Sequence, residues 1–564
     1  MANLDLIERE GIYGQVLARE SAFRSTLNRV LNVVAYLPKD AWAAEPVQQF
    51  DCVFPRSAPY WIPKPYINSL QAAVEIQIVR TLFTLVRSCW RRWVMLNEGM
   101  QTIIVQTAQG AVRGRMDEGV GAFLGIPYAA PLNGIRRFQA PQQPQPWDGT
   151  RDAIAFSAAP PQAAMPPIPP LWHPADDADC LTVNVWTPDP GASGLPVMVW
   201  FYGGAFIFGA ASQPEFDGAN LARAGVVMVS LNYRTGFEGL GWLPDAPQNR
   251  ALLDQLAALR WVQENIARFG GDPGNVTIFG QSAGASAVAA LTAAEAGRGL
   301  FRRAIGQSVT AAFLPEERAR GTAERIAGAL GVPLTSEAFA DLAPEAIHAV
   351  QSTPGEVTPY GPVIDGNLVR DQPWRGLRAE VDLMTGFARD EYRFFAMAMN
   401  EDLSAVDVAG VAAAHAVPLD AYRAAYPGAS DADLYLLIQS DAFFRIPSMW
   451  CAQEHRGRSW CYELTWPTPV FGGALGACHL LDVPLMFGNF RGPMAAMLFG
   501  DSVPREALEL AQEFSKSLTD FASTGNPGWP EYRKGEALTR IWDVPGSVAA
   551  DPVSASREIW EQKV

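Results

Sequence analysis

Histidine and cysteine are scarce in this sequence: of 564 residues, five are histidine and six are cysteine. The cysteines are Cys52, Cys89, Cys180, Cys451, Cys461 and Cys478, and no two form a C-x-x-C pair. The spacing typical of zinc ribbons and dithiol redox motifs is therefore missing, and no metal or cofactor is expected. A secretory leader is not evident either, because Met1-Ala-Asn-Leu-Asp-Leu-Ile-Glu-Arg-Glu10 is charged and has no apolar h-region. The thiols are accordingly expected to be reduced and the protein cytoplasmic. Positive charge is in short supply: the net charge of −15 argues against nucleic acid or an anionic membrane as the main partner. An uncharged apolar run of spanning length is also missing. The stretch from Leu70 to Leu96 is apolar but broken by Glu75, Arg80, Arg87, Arg91 and Arg92, so no transmembrane segment is expected.

What the sequence does have is Asn275-Val-Thr-Ile-Phe-Gly-Gln-Ser282-Ala-Gly284. Val276 to Phe279 reads as a buried strand. Gly280 and Gly284 bracket Ser282 as G-x-S-x-G, and Ala285 to Ala294 reads as a helix of small residues. Strand, sharp turn, serine and helix form the context of a nucleophile elbow. The competing reading is an ordinary strand-to-helix turn. A nucleophile would need an oxyanion hole, a base and an acid from elsewhere.

Residues 1–100 differ from the rest. They carry 11 basic and 9 acidic side chains, whereas the remaining 464 residues carry a net −17. They are read as an N-terminal extension, with Leu70 to Leu96 an amphipathic helix or a poorly folded segment. From residue 101 to 564 the pattern is one α/β domain. Thr102 to Gln106 and Ala111 to Gly114 suggest a hairpin, and Val120 to Tyr128, Leu181 to Trp186 and Pro196 to Phe201 suggest further strands. Pro141 to Pro170 is proline-rich and reads as an extended surface loop, or a gate. Val226 to Asn232 is a continuous apolar run of the buried parallel type, and Leu252 to Phe269 is an amphipathic helix closed by Gly270-Gly271. Alternation of strands and helices predicts a large, mostly parallel sheet flanked by helices.

Trp200-Phe-Tyr-Gly-Gly-Ala-Phe206 ends a strand in small residues. Backbone N–H groups approach a developing oxyanion closely only where side chains are small. A plain glycine turn is the alternative. Four histidines follow Ser282. His348 and His415 sit in Ala-rich helical segments, and His455 reads as a surface residue at a helix end. His479 follows the strand Trp460 to Trp466 in a Gly-rich loop, where a base is delivered to such a serine. Activity is then expected to fall as acid protonates this imidazole. Val381 to Gly386 reads as a strand running into Asp390-Glu391. Either carboxylate could orient a histidine, or both could be solvated beside Arg389 and Arg393.

These stretches, with Asp179-Cys-Leu-Thr-Val-Asn-Val-Trp186, Asn232-Tyr-Arg234 and Leu252-Leu-Asp-Gln255, resemble the type-B carboxylesterase/lipase family, which includes cholinesterases and many bacterial esterases. The resemblance spans about residues 102 to 560 and implies an α/β-hydrolase fold. It places the family's nucleophile on Ser282, its acid on Glu391, its base on His479, and its oxyanion donors on Gly204, Ala205 and Ala283. It implies a serine hydrolase that cleaves small-molecule carboxylic esters through an acyl-enzyme. Lipase, thioesterase or amidase activity on the same fold is the alternative, and a non-catalytic binding protein is a more distant one. There are departures. The residue before the serine is often Glu and here is Gln281, which argues against a choline ester. The usual Glu before Asp179 is Ala178, so a family salt bridge, with Arg137 as one partner, is expected to be lost. Secreted members pair the cysteine equivalent to Cys180 with an upstream cysteine, and none lies between Cys89 and Cys180 here.

Overall fold

The computed structural model describes residues 101–165, 169–352 and 359–561. The expected N-terminal extension, and residues 166–168 of the Pro-rich stretch, lie outside the described residues. Seven strands form a parallel core, in the order Val227–Leu231, Leu195–Phe201, Gly271–Gln281, Arg303–Gln307, Asp382–Ala388, Ser459–Leu464 and Leu538–Trp542. Antiparallel strands extend it at both ends: Thr182–Thr187, Val120–Pro127, Ala111–Asp117 and Thr102–Gln106 on one side, Ser547–Ala550 on the other. The mixed sheet is therefore mostly parallel at its centre, as the alternation of elements implied.

The central strands form because they are apolar on both faces. Val227-Met-Val-Ser-Leu231 is buried throughout, which a strand covered on both faces requires. Helices supply the cover. In Arg250–Asn265, Leu252, Leu256, Leu259 and Val262 recur at helical spacing and are fully or almost fully buried. In Arg505–Thr524, Leu510, Phe514, Leu518 and Phe521 do the same, and Gly525 ends that helix in the left-handed region (φ 77°).

The consequence for function lies at one edge. Parallel strands end on the same side, and their carboxyl ends are where α/β sheets build sites. Phe201, Gln281, Ala388 and Leu464 are the last residues of four of these parallel strands. The segments that follow them carry Gly203-Gly204-Ala205, Ser282, Asp390-Glu391 and His479.

Candidate active site

Ser282 sits between the end of its strand and the start of the helix Ala283–Ala293, at φ 58°, ψ −122°. A non-glycine residue held there costs on the order of 1–3 kcal/mol, which the surroundings must offset. Its N–H donates to the Gln307 carbonyl on the neighbouring strand (2.8 Å), and its carbonyl accepts from the Ser286 N–H (3.0 Å). The flanking glycines are sterically required. A Cβ on Gly280 would lie 2.6 Å from the Gly284 carbonyl carbon, and one on Gly284 would lie 2.8 Å from the Tyr202 carbonyl oxygen. Ala283 opens the helix, so its N–H has no intrahelical acceptor.

The loop after Phe201 lies directly on the serine. A Cβ on Gly203 would come within 3.2 Å of Ser282 Cβ. Gly204, Ala205 and Phe206 all have positive φ (115°, 52° and 59°), which folds the loop back on itself. The Gly204 carbonyl accepts from the N–H groups of Ile207 and Phe208 (2.9 and 3.1 Å).

His479 is 2 % exposed, and its Nδ1 lies 2.5 Å from Glu391 Oε2. Glu391 is fully buried, and its other oxygen accepts from Ser308 Oγ (2.6 Å) and the Ala388 N–H (2.8 Å). The imidazole is walled by Phe444 and Phe395, with ring centroids 4.4 and 5.0 Å away. Its Nε2 lies 3.2 Å from the amide nitrogen of Gln281, and Ser282 Oγ is not hydrogen-bonded to it in this structure. In unliganded sites such bonds commonly tighten only once substrate binds.

The profile of the carboxylesterase family matches residues 101–543. The chain belongs to the carboxylesterase family. It is 34 % identical over 486 residues to the para-nitrobenzyl esterase of Bacillus subtilis (strain 168), covering 81 % of this chain and 98 % of that protein. It is 33 % identical over 476 residues to the fumonisin B1 esterase of Sphingopyxis macrogoltabida, covering 78 % and 86 %. Among solved structures, a Geobacillus stearothermophilus carboxylesterase superposes with a TM-score of 0.73 at 32 % identity, covering 81 % of this chain and 99 % of that one. The protein is a carboxylic ester hydrolase of the α/β-hydrolase fold.

In this carboxylesterase the other candidates fall elsewhere. Asp390 is not hydrogen-bonded to the imidazole and pairs with Arg389 (3.2 Å) and Arg393 (3.3 Å). His455 corrects the expectation of a surface residue: it is buried, its ring nitrogens bonded to Ser459 Oγ and the Arg378 carbonyl. His348 stands edge-on to Trp172, and burial pushes its imidazole down to about 4. His415 bonds Gln439. With alanine at 178 the expected loss of a salt bridge from that position stands, but Arg137 is not left without an acid. It pairs with Glu238 at 2.5 Å and donates to the carbonyls of Ala340 and Leu342. Cys180 is a free, buried thiol, as are Cys451, Cys461 and Cys478. Among the described residues no group of His, Cys, Asp and Glu is arranged to hold a metal, and no helix is long and apolar enough to cross a membrane.

Three residues near the site gave no signal in the sequence. Gln162, in the Pro-rich stretch, is buried and clamps Gly209 at the far end of the loop after Phe201, donating to its carbonyl (2.9 Å) and accepting from its N–H (2.8 Å). That part of the stretch is therefore docked, not a free surface loop. Ser308, buried and at positive φ (56°), donates its N–H to the Gly386 carbonyl (2.7 Å) as well as its Oγ to Glu391. Asp482, three residues after His479, is fully enclosed and accepts from Gln307 Nε2 (3.0 Å) and Tyr462 Oη (3.3 Å). Burial first, and then the charge of Glu391, push its carboxyl up to about 7.

Proposed function

We propose that this carboxylesterase works through a Ser282–His479–Glu391 triad and a covalent acyl-enzyme. His479 removes the proton from Ser282 Oγ as that oxygen attacks the ester carbonyl. The oxyanion is received by the N–H groups of Gly204, Ala205 and Ala283. Glu391 holds the Nδ1–H of His479 and stabilises the imidazolium. His479 then protonates the departing alcohol, and water attacks the acyl-enzyme by the same route in reverse. The reading is carried by one observation: a serine in a strained strand-to-helix turn stands at the same sheet edge as an imidazole pinned by a buried glutamate.

The substrate is a small-molecule ester without a required positive charge, since an amide, Gln281, precedes the serine. The free state of the described cysteines supports a cytoplasmic location. The test is hydrolysis of p-nitrophenyl esters from acetate to palmitate by the wild type and Ser282→Ala. Activity should vanish in the variant, and the chain-length optimum separates an esterase, on short acyl groups, from a lipase. An optimum at palmitate would favour a lipase, and equal rates in both proteins would place the reactive group elsewhere.

A further inference from the structure

The base sits on a segment with little regular structure. From Ala474 to Leu481 the chain has no helix or strand, and Gly472, Gly473 and Gly476 all have positive φ. Yet catalytic groups must be held to about 0.5 Å. Glu391 reaches the end of the imidazole but fixes the backbone beneath it only through a long 3.4 Å bond from the His479 N–H to its carbonyl.

We infer that Asp390, the carboxylate left over from the triad, is a positioning residue that sets the place of the base loop. The inference rests on the triad reading above. Both backbone groups of Ala477, two residues before His479, are bonded to Asp390. The Ala477 N–H donates to Asp390 Oδ2 (2.9 Å), and the Asp390 N–H donates to the Ala477 carbonyl (2.8 Å). Arg389 and Arg393 flank the carboxylate, and Arg393 also donates to the Ala474 carbonyl (3.2 Å). The contact is close: a Cβ on Gly476 would lie 2.7 Å from Asp390 Cγ. Since Asp390 and Glu391 are adjacent, the loop that carries the base and the acid that orients it are registered against one turn of chain. The two neighbouring carboxylates thus divide the work, one touching the imidazole and one fixing its backbone.

The test measures rate per active site, with sites counted by a fluorophosphonate probe that labels Ser282. Asp390→Ala should lower kcat/KM per labelled site by roughly 10- to 100-fold, the scale of a misplacement of about 1 Å. The loss should be equal for acetate and octanoate esters and should fall mainly on kcat. Asp390→Asn keeps a carbonyl oxygen for the Ala477 N–H and should restore most of the rate. Gly476→Ala should lower the rate in both backgrounds, because alanine is strained at φ 59°, and by more in the wild type, where its Cβ would also meet the Asp390 carboxylate. A full rate per labelled site in Asp390→Ala would overturn the inference. So would a full rate per labelled site in Gly476→Ala, a variant that leaves Asp390 in place and so remains informative if Asp390→Ala itself folds poorly. Failure of the probe to label Ser282 in the wild type would instead strike the triad reading.

Discussion

Glu391 illustrates how much a single side chain is asked to do. One oxygen meets His479, and the other takes two donors, Ser308 Oγ and the Ala388 N–H. Ser308→Ala removes a bond to a charged acceptor, of a kind that contributes about 1.5–3 kcal/mol. The expected result is a loss of about tenfold or more in kcat/KM with little change in ester preference, measured by steady-state kinetics. Asp482 makes a different prediction, on stability. Its folded carboxyl is raised to about 7 from an ordinary value of 3.8. Between those pH values the unfolded chain has released this proton and the folded chain has not, so stability falls as pH rises through the window. Below it the effect vanishes, and above it the penalty is complete. Asp482→Asn should therefore gain stability relative to the wild type on going from pH 4 to pH 8, on the order of a few kcal/mol. Denaturant titrations at the two pH values check this, and a pH-independent difference would contradict it. The sharp turn at Ser282 and the loop position of His479 were readable in the sequence, because the first is patterned by flanking glycines and the second follows a strand in a glycine-rich segment. Asp390 and Glu391 could not be separated, because adjacent side chains differ only in the direction the backbone gives them. Gln162 and Ser308 act through partners 47 and 83 residues away, which no local pattern reveals.

Strands and helices were legible wherever their period was strong. The strand into Ser282 and the helix after it appear at nearly the expected places, because β-branched and small apolar residues leave few alternatives. The helix expected from Leu252 starts earlier, at Arg250. That guanidinium is fully buried and donates to the carbonyls of Phe237, Glu238, Gly241 and Pro247, contacts set by the fold. The wide π turn Asp441–Arg445 was not legible at all. It interrupts the helical run between Asp431 and Glu454 and places Phe444 against His479. Such turns recur at functional sites. A buried ion pair spans this one, Arg445 to Asp441 at 2.8 Å, with Tyr422 donating to the same carboxylate (2.8 Å). Removing Asp441 leaves the buried Arg445 with Glu463 alone, 3.8 Å away, at a cost of up to about 3–5 kcal/mol. Asp441→Ala should lower the urea midpoint accordingly. An unchanged midpoint would mean that the pair does not hold the turn.

The whole domain is organised so that one sheet edge receives every candidate group. Four strand ends separated by up to about 260 residues of sequence meet there, which is why the architecture was foreseeable from alternation while the contacts across the site were not. The same burial isolates the thiols. Cys451 and Cys461 are pushed up to about 12 by loss of solvent, and Cys180 and Cys478 are also raised. A thiol that stays protonated is a poor nucleophile. Peptide mapping after treatment of the native protein with a maleimide should find these four unlabelled, and unfolding in urea should expose them. The most direct test of the proposed chemistry is to trap the intermediate. The enzyme is mixed with a p-nitrophenyl ester, quenched in acid within the first turnover and digested for mass spectrometry. The expected result is a burst of nitrophenol and an acyl group on the peptide carrying Ser282. Turnover with the acyl group on another residue, or with no acylated peptide and no burst, would contradict the acyl-enzyme at Ser282.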